Sequence, residues 1–425
     1  MWREKIQRVQ EGAQQLRLAV GGTRSQMLQV LARGIQANIE RLLQANAEDY
    51  MESESSLEPS MRQRLLLNPE KLAILTAGLR VLAEKEDPLG QCLLHSQLDD
   101  GLILKKVVIP LGVVGVIFES RPDVLYQVLG LALRTGNGII VKGGAEATRT
   151  NREMIAVAEE TFASQGFPNN WFCHLEGREA VADLLQCDDL VDLIIPRGSN
   201  DFVRHIQERS RIPVLGHASG VCHAYVHSSA DIEEAIGIIV DAKTQYPAAC
   251  NSVETVLVDA SISASFLPLA ASALKHARVS LRCCPRAKSI VDEAEIVDPS
   301  EWNTEYGALT VAMKVVDGID DAIAHINTYG SHHTDAILAR DTRAIEVFLA
   351  SVNSACVFAN CSTRFADGYR FGFGAEIGIG TGKIHARGPV GLDGLLTYKY
   401  LLQGNGHCVA PYCGLQAKAF QFRPL

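Results

Sequence analysis

The 425-residue sequence predicts an α/β fold, a mostly parallel sheet covered by helices, and three observations predict it. The first 85 residues read mostly as amphipathic helix. From Ile103 the pattern turns to short β-rich runs. Those runs then alternate with helical segments as far as Val258. Strand, helix, strand order is the pattern of parallel strands, whose crossovers lay helices over the sheet.

The elements follow in order. Thr23-Arg24-Ser25-Gln26 has the spacing of a capping box, and Met27, Leu31, Ile35, Leu42 and Leu43 then fall on one helical face. "ILKKVVIPLGVVGVIFE", from Ile103, gives β-rich runs broken at Pro110, and Val124 to Arg134 reads as a helix. "GIIVKGG", after Asn137, is a short buried strand that closes in a glycine turn. "VDLIIPRGS" and "HAYVH" continue the alternation. Ile232 to Gln245 is helical, and Val253, Thr255, Val256 and Val258 form a strand, so Cys250 lies in a helix-to-strand loop. Cys356 and Cys361 share a strand-like run, and His332 to Asp335 read as a polar loop entering the next strand.

Composition bounds the function. The length suits two or three domains, and 47% apolar content is enough for a sizeable core. With 40 Lys and Arg against 49 Asp and Glu, the net charge of −9 argues against nucleic acid as a partner but leaves room for a local anion pocket. Eleven cysteines, an odd number spread thinly, do not resemble a disulfide framework and point to a reducing cytosol. The longest uncharged apolar run, Val107 to Phe118, holds Pro110, Gly112 and Gly115 and is shorter than the roughly 20 residues of a membrane span. Glu4 and Glu11 sit among the first basic residues with no apolar core behind them, so no signal peptide is expected.

Few motifs carry chemistry. There is no G-x-G-x-x-G after a strand; "GFGAEIGIGTG" at 372–382 has the wrong spacing. Lys142 and the turn "IPRGSND" at 195–201 are the better anion candidates, although ordinary turns with a surface lysine explain the same residues. Cys283-Cys284, Cys356 with Cys361, and His407-Cys408 with Cys413 lack paired ligand spacing, so no metal is expected. Cys250 is flanked by Pro247-Ala248-Ala249 and Asn251-Ser252. That fits an exposed nucleophile whose own N–H meets an oxyanion, and it fits an inert buried thiol equally well.

"QYPAACNSVETVLV", from Gln245, resembles the nucleophile segment of the aldehyde dehydrogenase superfamily, most closely its glutamyl-phosphate-reducing branch. "LLQANAEDY", "PLGVVGVIFESRPDV", "LALRTGNGIIVKGGAEATRTN", "IPRGS", "VVDGIDDAIAHINTYGSHHTDAI", "STRFADG", "GAEIGI" and "KIHARGPVGLDGLLTYKY" resemble the same branch in the same order. The resemblance runs from about residue 10 to 402 and leaves the last two dozen residues outside it.

The resemblance implies an aldehyde dehydrogenase-like fold. A Rossmann-like NADP-binding domain would take 1–97 and 113–218, and an α/β catalytic domain 219–385. An oligomerisation flap and C-terminal tail would take 98–112 and 386–425. It implies that Cys250 attacks the acyl phosphate of L-glutamyl 5-phosphate, expels phosphate, and leaves a thioester that NADPH reduces to the semialdehyde of proline biosynthesis. Lys142 would meet the adenosine ribose and a 2′-phosphate, Arg197, Gly198 and Ser199 the pyrophosphate, and Glu305 the nicotinamide ribose. For a substrate with an amine, a carboxylate and a phosphate, Arg121, Asn251, His333, Asp335 and Arg364 lie within the matching motifs. A homo-oligomer in the cytoplasm, served by the glutamate 5-kinase that makes the substrate, is also implied. Hydrolytic relatives carry a glutamate base where this chain reads "VLGHASGVCHAYVH", without a carboxylate. That absence tells against a hydrolytic NAD(P)-dependent aldehyde dehydrogenase, and the intact cysteine segment against a non-catalytic scaffold. "FESRPDV" lacks the asparagine that relatives place in the oxyanion hole, leaving the Cys250 N–H as the donor.

Overall fold

Arg24 overturns the expected capping box. Its guanidinium is buried, donating to the Leu16 and Ala19 carbonyls and pairing with Asp87 at 2.6 Å. The Thr23–Gln26 stretch is therefore packed into a helix, Gly21–Ala37, that starts earlier, with Val20 as its N-cap and no side-chain cap bond. Met27, Leu31 and Ile35 lie on its buried face. Leu42 and Leu43 belong to a separate helix, Ile39–Glu52, because the chain breaks at Asn38.

The computed structural model describes residues 2–55, 57, 59–177, 179–217 and 219–425, and it divides into two units. The first comprises 1–197, 209–214 and 391–425. In it, β1 (Cys92–Asp99) and β2 (Leu102–Pro110) form a hairpin turning at Gly101, whose φ of +75° suits a residue without a β-carbon. The strand Leu396–Gln403 pairs antiparallel with β2, and Arg423–Pro424 with β1, giving a four-stranded sheet.

A second sheet of this unit carries β3 (Val113–Phe118), β4 (Gly138–Gly143), β5 (Phe172–His174) and β6 (Leu193–Arg197). All pair in parallel, in the order β5-β4-β3-β6. The crossover helix Asp123–Thr135 is stopped by Gly136 in the left-handed conformation, and the helix Thr148–Ser164 leads from β4 towards β5. The chain thus builds outward from β3 and then returns to lay β6 on its other side. Such a reversal opens a crevice at the carboxyl ends of β3 and β6, where open α/β sheets bind ligands. There Phe118 is in register with Arg197, and the Glu119 N–H donates to the Arg197 carbonyl at 2.9 Å.

The second unit, 198–208 and 215–390, holds a seven-stranded parallel sheet. Its strands are β7 (Cys222–Val226), β8 (Val253–Asp259), β9 (Ser280–Cys283), β10 (Glu295–Ile296), β11 (Thr310–Val316), β12 (Thr334–Leu338) and β13 (Cys356–Ala359). They lie in the order β10-β9-β11-β8-β7-β12-β13. Cys361 falls beyond β13, not on it. Val253, Val256 and Val258 pack with the helices Ile232–Thr244 and Ser263–His276, while Tyr225, Leu257 and Ile337 pack with Ile319–Tyr329 and Thr342–Ser351. With helices on both faces, every residue of β8 is buried, Glu254 included.

Candidate active site

Three loops meet at the amino edge of the seven-stranded sheet. Cys250 lies just before β8, His217 a little before β7 and His333 immediately before β12. These strands are neighbours and parallel, so the topology gathers the three side chains at one edge. Cys250 Sγ and a ring nitrogen of each histidine lie within 4.8 Å of one another. The two imidazoles meet edge to face, with centroids 5.0 Å apart.

Each ring is oriented by its own Nδ1. His217 Nδ1 lies 3.0 Å from the Ile379 carbonyl, an obligate acceptor, so Nδ1 carries a proton and donates it. His333 is fully buried, with Nδ1 2.8 Å from Thr334 Oγ1 and Nε2 without a hydrogen-bond partner. The preceding His332 has φ of +60°, an uncommon conformation for a residue with a β-carbon, and it turns the chain as His333 enters the sheet edge.

Charge explains why this thiol differs from its neighbours. Burial, the largest cause in each case, pushes Cys356 up to about 11 and both Cys173 and Cys283 up to about 12. Burial pushes Cys250 up as well, but the positive potential of His333 and then His217 overrides it and holds the thiol well below its ordinary value. A thiolate is the nucleophilic form. The side chain is half-buried, and among the described residues its backbone N–H has no backbone acceptor.

The loop that carries Cys250 is pinned from several sides. The Cys222 thiol donates to the Cys250 carbonyl at 3.2 Å, and Gly220 packs directly on the Cys250 backbone. Glu305 Oε2 accepts from the Gly220 N–H and from Asn200 Nδ2, both at 2.9 Å. Asn251 is buried and donates to the Ala366 carbonyl at 2.8 Å. Arg364 donates through Nε to Gln245 at 2.9 Å and sits over the Tyr246 ring; burial lowers its pKa.

Asp335 is fully buried. Oδ1 accepts from the His223 N–H and faces His223 Nδ1, each at 2.8 Å, and Oδ2 accepts from Ser354. Of the residues singled out in the sequence, Cys250, Asn251, His333, Asp335, Arg364, Glu305, Gly198 and Ser199 belong to this unit. Lys142, Arg197 and Arg121 belong to the first unit, Lys142 near the end of β4 and Arg197 at the end of β6.

The fold assembles a cluster of a thiol and two imidazoles that none of the cysteine spacings in the sequence contains. Spacing along the chain could not show His217, Cys250 and His333 as a group, because three separate loops supply them. His217 lies in "GHASG", a stretch read in the sequence for its missing carboxylate. Glu254 is only four residues beyond Cys250, but it is buried in an ion pair with Lys243 at 2.8 Å, and burial raises its pKa to about 7.

The aldehyde dehydrogenase family model matches residues 3–287. The gamma-glutamyl phosphate reductase of Pelotomaculum thermopropionicum is 49% identical over 425 residues, covering 99% of this chain and 97% of that relative. The chain belongs to the gamma-glutamyl phosphate reductase branch of the aldehyde dehydrogenase family. The reductase of the same name from Haloquadratum walsbyi is 48% identical, covering 98% of this chain and 94% of its own. The crystal structure of the gamma-glutamyl phosphate reductase of Thermotoga maritima superposes with a TM-score of 0.92 at 34% identity, covering 96% of this chain and 99% of that one. With 99% of the chain aligned to a gamma-glutamyl phosphate reductase, the residues after 402 fall almost wholly within the shared length, not outside it.

Proposed function

We propose that this family member reduces L-glutamyl 5-phosphate to L-glutamate 5-semialdehyde with release of phosphate, in proline biosynthesis, and that Cys250 is its nucleophile. The observation that carries the residue assignment is the half-buried Cys250 thiol, held low beside His333 and His217. The thiolate sulfur bonds to the acyl carbon, the carbon–oxygen bond to phosphate breaks, and phosphate leaves with the electron pair. The developing oxyanion is stabilised by the Cys250 N–H. A nicotinamide cofactor supplies the hydride that reduces the resulting thioester. The carbon–sulfur bond then breaks, the aldehyde departs, and the sulfur returns as the thiolate beside His333 and His217. Acyl phosphate is already activated, so no base is needed to make water a nucleophile.

The first unit suits a dinucleotide: its strand order reverses at β3, and Lys142 and Arg197 place positive charge at the carboxyl ends of β4 and β6. His174, at the end of β5, is held at about 4 by burial, with the charge of Lys142 adding to the effect. A cation there suits the 2′-phosphate of NADPH, and Arg197, Gly198 and Ser199 suit the pyrophosphate. Glu305 holds the Gly220 and Asn200 segments and takes the nicotinamide ribose in this reading. Arg364 and Arg121 are the fixed cations for the substrate's carboxylate and phosphate, with His333 at the acyl group. Asn251 and Asp335 act through the loop shapes they hold.

The four-stranded sheet leaves Tyr398, Tyr400, Leu401 and Leu402 exposed on its outer strand, which supports its use in a homo-oligomer. A cytoplasmic setting with the glutamate 5-kinase as supplier completes the proposal, and no described helix is long and apolar enough to cross a membrane.

The test exploits reversibility. A thioester formed at Cys250 from the semialdehyde and NADP⁺ is released by phosphate in this reading, since "VLGHASGVCHAYVH" lacks the glutamate with which hydrolytic relatives activate water. NADPH formation, followed by absorbance against a no-enzyme control, should show one phosphate-independent burst and then depend on added inorganic phosphate. Sustained turnover in phosphate-free buffer would overturn the reading. Cys250→Ala should fold and lose both burst and turnover.

A further inference from the structure

We propose that His217, Cys250 and His333 form a reversible binding site for a zinc-class divalent cation, and that its occupation silences the nucleophile. One thiolate and two imidazoles are a borderline-soft donor set of the kind zinc takes, and three protein ligands leave a fourth position for water or an anion. Tetrahedral zinc, with bonds of about 2.0–2.3 Å, holds its donors roughly 3.5 Å apart. Donors already within 4.8 Å of one another need only small side-chain rotations to close on the ion.

Two further observations point to a ligand. His333 Nε2 is fully buried and, among the described residues, has no hydrogen-bond partner. Both rings also carry the outer hydrogen bond that orients metal-ligating histidines: His217 Nδ1 on the Ile379 carbonyl, His333 Nδ1 on the Thr334 hydroxyl. The nearby acids do not compete for the ion. Asp335 is held by His223 and Ser354, and Glu254 by Lys243. Cys222 is likewise engaged, its thiol donating to the Cys250 carbonyl.

Binding involves no redox change. Cys250, where still a thiol, and each imidazole that is protonated on its ligating nitrogen release that proton to solvent; the sulfur and the two imidazole nitrogens then donate lone pairs to the cation, and no other bond forms or breaks. The sulfur pair that would attack an acyl carbon is then held by the metal. The inference goes beyond the reductase reading, and binding is measured on the full chain without substrate or cofactor, so either can fail alone.

The reduced, metal-free chain is titrated with Co²⁺, which takes zinc's place in tetrahedral sites and reports its ligands optically. One equivalent should give tetrahedral visible bands with a sulfur-to-cobalt charge-transfer band, and Zn²⁺ should displace it. Bound Zn²⁺ should slow alkylation of Cys250 by iodoacetamide at least about tenfold, and a chelator should restore the rate. Cys250→Ser should abolish the charge-transfer band, and His217→Ala should weaken Zn²⁺ binding by about tenfold or more. His333→Gln, at a fully buried position, is checked for folding by circular dichroism; His217→Ala, at a half-buried one, carries the test if it misfolds. A cobalt spectrum without sulfur character, or a His217→Ala chain that binds Zn²⁺ as tightly as the parent, would refute the site.

Discussion

Gly220 and Cys250 are packed backbone on backbone: a β-carbon on Gly220 would lie 2.2 Å from the Cys250 carbonyl oxygen and 2.5 Å from its Cα. Backbone cannot rotate away as a side chain can. Gly220→Ala is therefore expected to displace the nucleophile loop, lowering kcat by more than about tenfold and costing about 1–3 kcal/mol of stability. Steady-state kinetics beside urea denaturation would show whether the rate falls with the stability, and an unchanged kcat would mean that the loop yields harmlessly.

The histidine pair sets the pH range of the thiol. Because the Cys250 thiol is held below its ordinary value, the thiolate persists as pH falls through the range, around 8.5, where a free cysteine protonates. Alkylation by iodoacetamide should stay fast below that range, and His217→Ala should move the profile upward. A profile centred at 8.5 in the parent chain would contradict the electrostatic account.

Lys243→Met would leave Glu254 buried and unpaired. Removing one partner of such a pair costs about 3–5 kcal/mol. The loss should be largest near pH 8 and shrink towards pH 5. The sign follows from Glu254, raised to about 7 by burial: an acid that binds its proton more tightly when folded favours folding at low pH, and that contribution is lost as pH rises through about 7. Urea midpoints at the two pH values test it. Replacing both residues, Lys243→Met with Glu254→Leu, should recover most of the stability.

Lys142→Ala should weaken NADPH more than NADH if the lysine meets the 2′-phosphate. A lost charge-assisted contact is worth about 1–3 kcal/mol, and fluorescence titration with each cofactor measures the difference. Equal weakening would remove Lys142 from that role.

What the sequence determined by itself was local. Strand and helix alternate along the chain with periods that neighbouring residues encode, so the helix at Val124, the strand at Gly138 and the loop that holds Cys250 were legible without coordinates. The motifs around Cys250 were enough to place the chain in its family. The capping box at Thr23 does not form, because the helix already starts at Gly21, and Arg24 within it is drawn inward by partners distant in sequence such as Asp87. Only the tertiary structure could join His217 and His333 to Cys250, since their meeting follows from the lateral order β8-β7-β12. Strand order is set by non-local pairing and packing, and no residue's immediate neighbours record it. The same reason hid the Lys243–Glu254 pair and the internal engagement of Asp335: a carboxylate in a sequence looks solvated until the fold takes its water away.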